Sequence, residues 1–168
     1  AVIEAGVFLE TLAKQLGVGR AEAQAYIDRY FARYPGVQGY MDRIRRTAAE
    51  DGFVETLFGR RRAIPELRSD NPRVRQAGER QAMNAGIQGL AADIFKVALV
   101  RVDQALEAAG VSARLVLQVH DEVLVEAPEA EREEVGPMVI DLMRGAAALD
   151  VPLEVNVAWG STWADAKG

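Results

Sequence analysis

Apolar positions in the first fifty residues recur every three or four residues, the period of an amphipathic helix. Val7, Phe8, Leu12, Ala13 and Leu16 mark one such stretch, stopped by Gly17. Ala23, Tyr26, Ile27, Tyr30 and Phe31 line one side of a second, expected from about Arg20 to Tyr34, and Pro35-Gly36 breaks it. A third runs to about Asp51, closed by Gly52 as a C-terminal cap. The period then changes. Phe53 to Phe58 reads as a strand, Gly59 supplies a turn, and Arg60-Arg61-Arg62-Ala63-Ile64 returns, so a small basic hairpin is expected. After a loop from Pro65 to Asp70, Asn71-Pro72 gives an N-cap followed by proline at the first helical position. That helix is expected to reach Asn84 and bend near Gly86. A further helix follows from Ile87 to Ala109, with Ile87, Leu90, Ala91, Ile94, Ala98 and Val102 as a buried stripe. Ala113 to Val119 alternates Leu115, Leu117 and Val119 as a strand, His120-Asp121-Glu122 turns, and Val123 to Glu126 returns. Pro128 opens a helix to about Ala147, and Leu153 to Ala158 is the last strand. The fold class is therefore α+β, a small antiparallel β-sheet packed with several α-helices.

Composition narrows the function. The 168 residues make one compact domain or part of a larger one, and 49% apolar with 27% charged residues is a globular balance. No cysteine is present, which excludes disulfides, zinc knuckles and thiol catalysis, and a single histidine excludes multi-histidine metal centres. No apolar run is long enough to cross a bilayer, so no membrane partner is expected. The opening Ala1-Val2-Ile3-Glu4 reads as the middle of an element, and the expectation is a piece of a longer parent. The formal charge of −5 hides a division. Arg43 to Arg80 holds ten Arg against six Asp or Glu, a formal +4, whereas Asp121 to Gly168 holds eleven acids against three bases, a formal −8. Local field, rather than the total, steers a polyanion.

Three groups of residues could carry chemistry. In Gln118-Val119-His120-Asp121-Glu122, adjacent carboxylates in a tight turn repel one another, and a divalent cation is the usual way to offset that repulsion. Oxygen donors without Cys or spare His favour Mg²⁺ or Mn²⁺ over zinc. A solvated acidic hairpin tip is the competing explanation. Arg80, Asn84 and Gln88 lie four apart, about 40° of rotation per step, and so project from one helix face as donors suited to phosphates, sugars or base edges. The solvent side of an amphipathic helix explains that pattern equally, although small neighbours at Ala85, Gly86 and Gly89 would let a ligand approach the backbone. Gly59-Arg60-Arg61-Arg62 can clamp phosphates, or can serve only as a charged edge that blocks strand pairing. Metal-dependent phosphohydrolases built on His-Asp need further histidines, and Ser69, Ser112 and Ser161 lie in no nucleophile-elbow context.

Together these residues resemble the C-terminal part of a family A DNA polymerase, the bacterial DNA polymerase I type. The matching stretches occur in order: Glu22 to Val37 (with Tyr30-Phe31-Ala32-Arg33-Tyr34-Pro35-Gly36-Val37), Thr56 to Arg62, Glu79-Arg80 with Asn84, Gln88-Gly89, Ala91-Ala92-Asp93, Gln118 to Glu122, and Asp150 to Val155 through Trp163. The resemblance covers nearly the whole chain from Leu12. It implies a fragment of a right-hand polymerase domain, residues 1–52 a helical fingers-side segment and 53–168 a palm-side segment. Asp121 would be one of two aspartates holding the catalytic Mg²⁺ pair, with Glu122 a supporting carboxylate and His120 near the primer terminus. Arg80, Asn84, Gln88 and Gln118 would contact primer–template DNA, and Arg60, Arg61 and Arg62 its backbone. The implied reaction is attack of a primer 3′-hydroxyl on the α-phosphate of a deoxynucleoside triphosphate, in the bacterial cytoplasm at the nucleoid. The family's other palm aspartate, its long fingers helix and its thumb have no counterpart in this chain, and Ala5-Gly6 stands where the family has Tyr-Gly. The chain alone is accordingly expected to be inactive, to need the missing N-terminal part of the polymerase, and to self-associate through apolar surface around Phe8, Leu9 and Leu12. The alternative is a non-catalytic DNA-binding or folding module derived from the same scaffold.

Overall fold

A computed structural model describes residues 5–167, with side chains from Leu9 onward. The described residues divide into two compact units, one up to Leu90 and one from Ala91. The first carries helices α1 (Ala5–Leu16), α2 (Arg20–Arg33) and α3 (Pro35–Asp51), strands β1 (Phe53–Glu55) and β2 (Arg61–Ala63), a 3₁₀ turn at Pro65–Arg68, and the first half of α4 (Pro72–Ala109). The second carries the rest of α4, strands β3 (Arg114–Val119) and β4 (Glu122–Glu126), and helices α5 (Arg132–Arg144) and α6 (Trp163–Lys167). Among the described residues the fold is mostly helical with two small two-stranded antiparallel sheets, β1–β2 and β3–β4, the α+β class expected from the sequence.

Local signals place most boundaries. Gly52 adopts φ 79°, a left-handed cap whose N–H donates to the Ala48 carbonyl at 2.9 Å. Asn71 caps α4, its Oδ1 accepting from the Arg73 N–H at 3.0 Å. Only Tyr34 separates α2 from α3, because Pro35 does not end a helix but occupies the first position of the next.

The first core joins Ala48 of α3, Val54 of β1, Ile64 and Leu67 around the 3₁₀ turn, and Ala82 and Ala85 of α4, with Ile44 packed against them. The second joins Val102 and Leu106 of α4, Ala113, and Val135 and Val139 of α5, flanked by Leu115 and Val125 of the β3–β4 hairpin. Glu131 secures the entry to β3. Its two carboxylate oxygens accept from the Ser112 and Ala113 N–H groups at 2.9 and 3.0 Å, a charge-assisted pair. Glu131→Ala orphans both donors and should lower stability by about 1–2 kcal/mol, read as a shifted urea midpoint at unchanged slope. Glu131→Gln keeps one acceptor oxygen and should lose less.

Several expectations require correction. The helix does not divide at Gly86: one helix, α4, runs for 38 residues from Pro72 to Ala109. Its middle stripe is not buried throughout. The first core takes Ala82 and Ala85 and the second takes Val102 and Leu106, so Ile87, at 59% exposure, and Ala91 lie outside both. Strand β1 stops at Glu55, since Thr56 to Arg60 form the turn. In β3 the register slips between Leu115 and Leu117, and this bulge takes Leu117 out of the expected alternation, leaving it exposed. A 3₁₀ turn at Glu129–Glu131 precedes α5, which ends at Arg144 rather than Ala147. Leu153 to Ala158 form no strand: a strand needs a neighbour, and none pairs with this segment among the described residues. Leu9 is buried and Leu12 half-buried, so the apolar surface expected there is mostly covered, and the Phe8 side chain lies outside the described ones.

Candidate nucleic-acid interface and acidic hairpin tip

In the first unit the hairpin turn is built by one hydroxyl. Thr56 Oγ1 accepts from the N–H groups of Phe58 and Arg60, each at 3.3 Å, while the Thr56 N–H donates to the Arg60 carbonyl at 3.0 Å. Gly59 takes φ 80°, a conformation that would strain any residue with a Cβ. The three arginines then diverge. Arg60 turns inward and donates to the Gly89 carbonyl of α4 at 2.8 Å. Arg61 pairs with Glu55 and lies over the Phe53 ring, 4.7 Å from its centroid. Arg62 is exposed. The sequence places all three as equivalent clamps, whereas in the fold Arg60 anchors the hairpin, Arg61 braces it, and Arg62 faces water.

Arg80, Asn84 and Gln88 share one face of the unbroken α4, with Arg80 and Asn84 half-buried and Gln88 exposed. The small neighbours serve a different purpose from the one their sequence suggests. A Cβ at Gly86 would meet the Tyr40 hydroxyl at 2.7 Å, and one at Gly89 would meet Thr56 Cγ2 at 2.7 Å and Arg60 Nη2 at 3.0 Å. The protein's own side chains occupy those approaches, so these glycines admit α3 and the basic hairpin rather than a ligand. Burial pushes the Tyr40 hydroxyl above the usual tyrosine pKa and the Arg43 guanidinium partly offsets that shift, so Tyr40 stays a neutral phenol at physiological pH.

In the second unit Val119 pairs with Glu122, which leaves His120-Asp121 as a two-residue turn. His120 sits at φ 53°, the one non-glycine residue with positive φ among those described, a conformation that costs about 1–2 kcal/mol in an L-residue. Gln118 compensates locally by donating from Nε2 to the His120 carbonyl at 2.8 Å. Both His120 and Asp121 are exposed, and no hydrogen bond or ion pair engages the Asp121 carboxylate among the described residues. Glu122 is different. Its Oε2 lies 3.0 Å from Lys167 Nζ, on the short C-terminal helix.

The hairpin thus brings Gln118, His120, Asp121 and Glu122 together, and α4 aligns Arg80, Asn84 and Gln88. Sequence reasoning missed Thr56, Tyr40 and Lys167. The signal for Lys167 was present in Thr162-Trp163-Ala164-Asp165, the capping pattern of a helix start. Two adjacent carboxylates offer hard oxygen donors of the kind that suit Mg²⁺ or Mn²⁺. They do not fill an octahedral shell, and no group of three or more His, Cys, Asp or Glu that could hold a metal occurs among the described residues. No helix among the described residues is long and apolar enough to cross a membrane.

The family model described as DNA polymerase family A matches residues 5–165. DNA polymerase I of Pseudomonas aeruginosa is 59% identical over 155 residues, covering 92% of this chain and 17% of that protein. DNA polymerase I of Mycobacterium tuberculosis is 51% identical over 152 residues, covering 90% of this chain and 17% of that protein. Among solved structures, the polymerase domain of Pol1 from M. smegmatis, in complex with DNA primer-template and dNTP, superposes with a TM-score of 0.89 at 47% identity over 95% of this chain and 28% of that one. The chain therefore spans about a sixth of the length of these curated relatives.

Proposed function

Because the chain belongs to DNA polymerase family A, we propose that it supplies the acidic hairpin and part of the primer–template face of a DNA-directed DNA polymerase. In this reading residues 1–52 belong to the fingers side and residues 53–168 to the palm. Asp121 holds Mg²⁺, or Mn²⁺ in its place, and Glu122 supports it. When bound, such a cation pair activates a hydroxyl nucleophile and stabilises a leaving pyrophosphate. The residues of this chain do the positioning. The His120-Asp121 turn leaves the Asp121 carboxylate exposed, with no hydrogen bond or ion pair among the described residues, where a cation and the primer terminus can reach it. Arg80, Asn84 and Gln88 present hydrogen-bond donors along one face for the sugar and base edges of primer–template, and Gln118 fixes the hairpin tip through His120. Arg62 contacts phosphate directly, while Arg60 and Arg61 keep the hairpin rigid beside it. The substrates are primer–template DNA and deoxynucleoside triphosphates, and the setting is the nucleoid of a bacterial cytoplasm.

The observation that carries this reading is the exposed Asp121, without a hydrogen bond or ion pair among the described residues, on a two-residue turn within a chain matched by the family from residue 5 to 165. Asp121 and Glu122 alone would offer too few oxygen donors to hold two cations, so the chain by itself is inactive and awaits the N-terminal part of the polymerase. Exposed apolar side chains such as Leu57 and Val151 then meet that missing part, or a second copy of the chain. The reading is tested by adding the remaining polymerase segment of a close relative in trans and measuring primer extension. Restored incorporation is the expected result. Binding of duplex DNA that moderate salt removes, with no turnover under any combination, would instead identify a non-catalytic DNA-binding module.

A further inference from the structure

All four tyrosines of the chain fall between residues 26 and 40, and the proposed function uses none of Tyr26, Tyr30 and Tyr34. Helix α2 buries Ala23 and half-buries Ile27 and Phe31. Tyr26 and Tyr30, which the sequence period groups with them, are instead 40% and 49% exposed, and Tyr34, at the junction with α3, is 52% exposed. The rings are braced. Tyr30 meets the Phe31 ring edge-on at 5.4 Å between centroids, and the Tyr34 ring at 5.2 Å with a tilt of 51°. The Arg29 guanidinium lies 4.7 Å from the centroid of Tyr26, and its Nε donates to the Ala25 carbonyl at 3.2 Å. Single exposed apolar residues are ordinary, whereas a contiguous, braced run of half-exposed rings marks an interaction surface.

Charge selects the partner. Arg29 and Arg33 fall within the same arc of α2 as Tyr26 and Tyr30, about 100° wide. Helix α2 holds Arg20, Arg29 and Arg33 against Glu22 and Asp28. Both acids are already engaged, Glu22 Oε1 by the Tyr26 hydroxyl at 3.3 Å and Asp28 Oδ1 by Gln24 Nε2 at 2.8 Å. Arg33 is exposed and makes no hydrogen bond or ion pair among the described residues. An apolar partner would cover that guanidinium without pairing it. Duplex DNA supplies phosphates but keeps its base faces stacked inside. An unpaired strand offers a flat π-face and a phosphate at every nucleotide. We propose that this flank of α2, with Tyr34, is a stacking platform for single-stranded nucleic acid, on which bases lie against Tyr30 and Tyr34 and the backbone follows Arg29 and Arg33. The platform goes beyond the proposed function: it shares no residue with the Asp121 hairpin or the donor face of α4.

Fluorescence anisotropy with the 168-residue chain tests it, using labelled oligo(dT) of about 16 nucleotides and an abasic strand of the same length as the probe for phosphate attraction alone. The unaltered chain should bind oligo(dT) about 5- to 100-fold more tightly than the abasic strand. Tyr30→Leu combined with Tyr34→Leu keeps apolar bulk without a π-face and should erase that preference, while the matching Phe pair should retain it. Arg33→Gln should lower the slope of log affinity against log salt by about 0.7, the share of one phosphate on a single strand. Equal affinity of the unaltered chain for the two strands overturns the platform, and that comparison needs no variant to fold. So does a preference that survives the leucine pair in a chain with unchanged circular dichroism. A dimer that the leucine pair dissociates while oligonucleotide binding stays constant gives the face to a second copy and overturns the platform too. An unchanged salt slope in Arg33→Gln overturns the phosphate contact. Primer extension enters none of these readouts, so this inference and the polymerase reading fail separately.

Discussion

Asp121→Asn should lower templated nucleotide incorporation by about 10²- to 10³-fold or more once the chain is completed by the rest of a polymerase, the range seen when one electrostatic contact to a developing charge is lost. Asn preserves the volume and the tolerance for a tight turn while removing the negative charge. The side chain is exposed and makes no hydrogen bond or ion pair among the described residues, so no described contact depends on its charge. Surface changes of that kind alter stability by about 0.5 kcal/mol or less, and the urea midpoint should stay where it was. DNA affinity should hold or rise slightly, because one carboxylate that repels phosphate has gone. The loss therefore appears in single-turnover incorporation and not in binding or folding. Glu122→Gln should cost less, since Glu122 already shares its charge with Lys167. Incorporation by Asp121→Asn within tenfold of the unaltered protein would remove the chemical basis of the proposed function.

How far the sequence foretells this structure depends on the reach of each contact. Gly52 after α3, Asn71-Pro72 before α4 and the turn between β3 and β4 act within four residues, and each was legible. The unbroken path of α4 through Gly86 was not. A glycine costs a helix about 1 kcal/mol, which favours a bend on local grounds. The hydroxyl of Tyr40, 46 positions earlier, fills the space beside it and makes the small residue an asset. Leu153 to Ala158 alternates like a strand, yet alternation alone cannot supply a pairing partner. In the candidate site the same division holds. Asp121 and Glu122 could be singled out because adjacent acids on a tight turn are a local oddity. The roles of the three arginines could not be separated, because Arg60 finds Gly89 and Arg61 finds Glu55 only after the hairpin has folded.

Gly78→Ala should destabilise the first unit by about 1–3 kcal/mol, against the sign that helix propensity predicts. Gly78 is a buried residue within α4, and replacing a mid-helix glycine with alanine ordinarily stabilises by about 1 kcal/mol. A Cβ at this position would sit 2.9 Å from Glu66 Cβ, 3.0 Å from the Leu67 nitrogen and 3.2 Å from the Glu66 carbonyl carbon. Those atoms belong to the backbone and root of a 3₁₀ turn, not to the tip of a flexible chain that can swing aside. The turn is itself held, because the Leu67 N–H donates to the Ile64 carbonyl at 3.2 Å and both Ile64 and Leu67 are buried in the core with Val54 and Ala82. Pushing it away opens that core at the base of the basic hairpin. Gly39→Ala in α3 is the internal control: nothing lies within 4 Å of its Cβ, so it should stabilise by about 0.5–1 kcal/mol. Urea unfolding of both variants measures the pair. If Gly78→Ala matched Gly39→Ala in sign, the close packing of α4 on the 3₁₀ turn would be wrong, and with it the rigid placement of Arg60 and Arg62 that the proposed DNA contact requires.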